Sequence, residues 1–82
     1  MTAVSYTGVI NTNGDFETVA SLTGLTLTTN KTYTIQVQNI GYIKVADAIF
    51  CLKNETITWT QGTDALYFKS NSPAVFSILE NA

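Results

Sequence analysis

The stretch Lys31 to Gly41 constrains this chain more than any other. Tyr33, Ile35 and Val37 alternate with Thr32, Thr34, Gln36 and Gln38. Successive side chains of a strand point to opposite faces, so the stretch predicts one apolar and one polar face. No stretch long enough for a helix carries the 3.6-residue period.

The alternation recurs along the chain. Val4, Tyr6 and Val9-Ile10 predict a first strand, bulged or bent at Gly8. Asn11-Thr12-Asn13-Gly14-Asp15 predicts a turn, because Asn and Gly tolerate positive φ. Phe16 to Ala20 reads as either a strand or an irregular crossing. Ser21 to Thr29 predicts a strand with Leu25 and Leu27 on one face. Asn39-Ile40-Gly41 predicts a break, and Tyr42 to Val45 a new strand. Ala46 to Leu52 reads as extended or bulged, and Cys51, inside Phe50-Cys51-Leu52, as a buried inert thiol. Lys53-Asn54-Glu55 predicts another turn. Thr56 to Thr60, Ala65 to Lys69 and Ala74 to Glu80 predict the remaining strands.

Turn signals at intervals of about 8–12 residues are the pattern of a small sandwich or barrel. The expected fold is all-β: one domain over residues 1–82, antiparallel, with about seven or eight short strands. Tyr33, Trp59, Phe68 and Phe76 fall on inward faces and are expected to build the core. Tyr42 and Tyr67 fall on outward faces.

Composition then removes function classes. There is no His and a single Cys, so neither a disulfide within the chain nor a Cys/His metal centre is expected. A Ser-His-Asp triad lacks its base, and no Ser-x-x-Lys motif is present. Asp15, Glu55 and Asp64 sit in or beside turn signals, where carboxylates bond to backbone amides. No enzymatic activity, catalytic residue, metal site or cofactor is expected. Charged residues make up 12% of the chain, against about 25% in ordinary domains, and Arg is absent. Without cations to neutralise phosphates, nucleic-acid binding is not expected. A weakly charged surface repels neighbours weakly, which suits life in an assembly. The start, Met1 to Tyr6, has no basic residue ahead of an apolar run, and Ala48 to Leu52 is too short to cross a bilayer. A soluble chain made in a cytoplasm, with no membrane partner, is therefore expected.

A small core also leaves oligomerisation as the remaining stabilising device. Residues 1–6 read as an N-terminal arm able to add to a neighbouring sheet. The candidate interface residues are Thr2, Val4, Tyr6, Tyr42 and Tyr67. A homo-oligomer, specifically a trimer, is expected.

Three segments carry a resemblance. Tyr33 to Gly41 holds Val37-Gln38-Asn39-Ile40-Gly41; Gly62 to Ser70 holds Leu66-Tyr67-Phe68-Lys69-Ser70; the end holds Ser77-Ile78-Leu79-Glu80. Over roughly Lys31 to Glu80 the chain resembles the small all-β virion proteins of tailed bacteriophages, especially capsid decoration and head or tail accessory proteins. It departs from them between Val45 and Lys53, where relatives carry a longer Gly-containing loop. The resemblance implies a structural, head-stabilising subunit in the virion, made in the host cytoplasm. Its implied partner is the major capsid protein or another virion protein. The alternative is a glycan- or host-surface-binding module of a fibre or adhesin, using Tyr42 and Tyr67.

Overall fold

A computed structural model describes residues 5–81. Thr2, Val4 and most of the expected arm lie outside the described residues. The chain folds as one antiparallel sheet curled into a half-barrel. Its strands are β1 (Ser5–Ile10), β2 (Glu17–Thr18), β3 (Thr32–Val45), β4 (Ala48–Thr60), β5 (Leu66–Lys69) and β6 (Ala74–Glu80). A short helix, α1 (Val19–Thr23), follows β2. The sheet order is β1-β6-β3-β5-β2, with β4 along the other side of β3.

The expected all-β antiparallel architecture is what forms. Among the described residues the strands are fewer and longer than the sequence predicts. Asn39-Ile40-Gly41 and Lys53-Asn54-Glu55 do not end strands; they face each other across the β3–β4 ladder as one bulge, where the register shifts between Val37 and Ile40. Asn39 (φ 73°) and Asn54 (φ 50°) both take the left-handed conformation. The Asn39 N–H donates to Asn54 Oδ1 at 2.9 Å, and Asn39 Nδ2 donates to the Pro73 carbonyl at 3.1 Å. Asn suits a bulge for the same reason that it suits a turn. The two-residue connection between β3 and β4 lies instead at Ala46-Asp47, and Ala48 to Leu52 is extended.

The strand expected over Ser21 to Thr29 is the second correction. Thr18 Oγ1 caps α1 by accepting the Ser21 N–H at 3.2 Å. Gly24, at φ 75°, closes the helix through its N–H to the Ala20 carbonyl at 2.8 Å. Leu25 and Leu27 do face the core, as alternation predicts, but they have no ladder partner. The Thr28 N–H goes to Tyr33 Oη at 2.8 Å. Thr18→Ala should lower stability by about 1 kcal/mol, the usual loss for an N-cap. A urea titration checks this, and an unchanged midpoint would show that the cap contributes nothing.

The core lies on the concave face. Tyr33, Ile35 and Val37 of β3 are fully buried, as are Phe68 of β5 and Phe76 of β6. The Phe68 and Phe76 rings meet at 4.9 Å in a tilted pair. Trp59, expected in the core, is only half-buried at its margin. One polar clamp lies within this interior. Thr12 and Ser70 exchange hydrogen bonds, with Thr12 Oγ1 accepting the Ser70 N–H at 3.0 Å and Ser70 Oγ accepting the Thr12 N–H at 3.3 Å. Thr12 Oγ1 also donates to the Ser70 carbonyl at 3.2 Å, and Ser70 Oγ to the Ile10 carbonyl at 3.1 Å. The Asn11–Asp15 turn thus forms, but it joins no hairpin: β1 pairs with β6, and β2 with β5.

Candidate functional site

Three surfaces stand out, and the first, a hollow, carries the least chemistry. It is a groove of about 380 Å³ on the convex face, lined by Ser5, Thr7, Thr34, Gln36, Thr56 and Ser77 with Ile78 and Leu79. Its polar groups are hydroxyls and an amide. These donate and accept hydrogen bonds, but they include no group that ionises near neutral pH.

The second surface holds Tyr42 and Tyr67. Tyr42 lies opposite Lys69, and Lys44 opposite Tyr67, so two tyrosines and two lysines alternate on the outer face of β3 and β5. Lys69 Nζ stands 4.7 Å from the Tyr42 ring centroid and 5.0 Å from that of Phe16; Lys44 Nζ stands 5.6 Å from Phe16. These are cation–π distances. They fasten the crossing at Phe16 onto the sheet and place an ammonium over the Tyr42 ring. Tyr42 and Tyr67 are therefore neighbours, as alternation predicts, but both are half-buried. Tyr6 is not with them. It pairs with Ile78 on the concave face and packs against the core.

The third surface is β4, which the sequence reading divided by a turn at Lys53-Asn54-Glu55. β4 pairs with β3 along one side, and no strand among the described residues pairs along the other. Its concave-face positions are Ala48, Phe50, Leu52, Glu55, Ile57 and Trp59, opposite Val45, Ile43, Gly41, Val37, Ile35 and Tyr33. A groove of about 270 Å³ runs among Ile43, Phe50, Leu52, Ile57 and Trp59. Phe50 is 50% exposed and Ile49, on the other face, 56%. Trp59 Nε1 donates to Gln61 Oε1 at 3.0 Å, so its polar end is satisfied while the ring borders the groove. Cys51 is exposed, not buried as expected. On an edge strand only Leu52 of the run Phe50-Cys51-Leu52 reaches the core.

The middle of β4 is irregular and charged. Glu55 Oε1 accepts the Lys53 N–H at 3.3 Å, satisfying one backbone donor beside the bulge. Bulges and charges are devices that restrain edge strands from uncontrolled pairing. The segments on either side, Ala48 to Leu52 and Thr56 to Thr60, carry no charged side chain. The signal that could have located this surface is the pair Asn39 and Asn54, had they been read as one bulge joining two long strands.

Comparison with known proteins gives no matching family model, no matching curated protein and no matching solved structure.

Proposed function

We propose that this chain is a structural assembly subunit, in its narrower form a capsid decoration subunit that binds the assembled shell of a tailed phage. The observation that carries this reading is the uncovered β4: a long strand edge beside an apolar groove with a half-exposed Phe50. Apolar surface of this kind is covered by a partner in a working protein. The low charge and the resemblance over Lys31 to Glu80 point to a virion as the assembly. The shell contact is assigned to the outer tyrosine–lysine face around Tyr42 and Tyr67, where half-buried aromatic rings can anchor an interface. Binding only the assembled shell would stabilise it by mass action. The glycan-binding alternative is less well supported, because the Lys69 ammonium already occupies the Tyr42 ring.

Mixing the protein with expanded, undecorated shells tests this. Co-sedimentation and a raised shell melting temperature are expected. Tyr67→Ala should weaken binding about tenfold, the scale of one interface anchor. No co-sedimentation, with shell melting unchanged, would remove the decoration reading.

A further inference from the structure

The concave-face positions of β4 are spaced alike from both ends, and from this we infer that β4 is the contact by which two copies of the chain pair edge to edge across a two-fold axis. In an unbroken strand, inward positions recur every second residue. Asn54 interrupts that rhythm, so two residues separate Leu52 from Glu55. The inward set then becomes Ala48, Phe50, Leu52 and, in mirrored spacing, Glu55, Ile57, Trp59. A second β4 laid antiparallel, with the axis between Lys53 and Asn54, sets Phe50 opposite Ile57 of the copy. The same register sets Ala48 opposite Trp59 and Leu52 opposite Glu55. Every inward residue meets an inward residue, which an antiparallel ladder requires.

The occupant is a second copy because the edge is complementary to itself. An isologous interface needs one patch that matches its own rotated image. β4 carries one Lys and one Glu, so the strand has no net charge to repel its copy. The axis sets Lys53 of one chain opposite Asn54 of the other and Glu55 opposite Leu52, so no like charges meet across the seam. The bulge does not obstruct this arrangement. It sits at the axis, where the Lys53 N–H is already satisfied by the carboxylate of its own Glu55. Pairing joins the two apolar grooves, and Phe50 and Ile57 cover each other across the seam. The result is a dimer, not the trimer that composition suggests.

The inference deepens the assembly reading by naming the copy–copy contact, and it rests on that reading only for the claim that the chain works in a larger body. The register makes a specific demand on the outward residues. Cys51, exposed and free, must lie opposite Thr56 of the copy. Within one chain these two are five positions apart along the strand, roughly 16 Å, too far for a disulfide. The full-length Thr56→Cys variant, mildly oxidised, should run on a non-reducing gel as a covalent dimer that reductant dissolves. Thr60→Cys, two repeats of the pleat (about 13 Å) further from the Cys51 position, should stay at the single-chain mass. In sedimentation, the unmodified protein should have twice the chain mass, and Phe50→Lys the mass of one chain with its fold intact by circular dichroism. A single-chain mass for the unmodified protein at every concentration overturns the inference, as does equal cross-linking of both cysteine variants. A monomer that still decorates shells refutes the pairing alone. A cross-linkable dimer that ignores shells refutes the decoration reading alone.

Discussion

Ser70→Ala is expected to lower the melting temperature by about 10–20 °C, the shift that ~2–3 kcal/mol produces in a domain of this size. The hydroxyl is wholly buried and holds two groups from the other end of the chain, the Thr12 N–H and the Ile10 carbonyl. Alanine leaves both without that partner in the interior, and an unsatisfied buried group costs about 1–3 kcal/mol. Thr12→Val should cost a similar amount, because the same clamp loses its other half. The double variant should lose less than the sum, since each single change already breaks the shared contacts. Thermal unfolding followed by circular dichroism measures all three. Full additivity would mean that the clamp is two independent hydrogen-bonding sites.

Gly41→Ala is the second large effect, a loss of about 1–3 kcal/mol, typical of overpacking. A Cβ there would lie 2.5 Å and 2.6 Å from Phe68 ring carbons and 3.1 Å from Val37 Cγ1. Phe68 has nowhere to retreat, being fully buried and packed against Phe76. Gly41 is thus required by the close approach of β3 to a ring, and the strand break expected there is not the reason for it. The interpretation makes a paired claim. Phe68→Leu alone should destabilise by removing packed atoms. In the Phe68→Leu background, however, Gly41→Ala should cost markedly less than in the parent. Chemical denaturation of the four proteins supplies the coupling energy, and a value of zero would leave the steric account without support.

These two sites show what could be read from residue order alone. Thr12 appeared there as an ordinary turn residue and Ser70 only as the residue after a predicted strand, and nothing local ties positions 58 apart in the chain. Gly41 appeared as a breaker, because glycine interrupts a strand pattern whether it bends the backbone or makes room for a neighbour. The interface candidates divide in the same way. Alternation correctly set Tyr42 and Tyr67 on the outer face, but it gave Tyr6 no face at all. Thr2 and Val4 fall outside the described residues.

What the sequence determined was the faces. Alternation is a property of the extended backbone, so Tyr33, Ile35, Val37, Phe68, Phe76 and Ile78 were inward wherever their strands came to lie. The tertiary structure decided which strands lie beside which, and therefore which one is left at the edge. That choice exposes Phe50 and Cys51, turns two asparagine breaks into one bulge, and gives β4 its symmetry. Strand neighbours are set by pairing over long separations, where many registers satisfy the same local pattern and only the packed core distinguishes them.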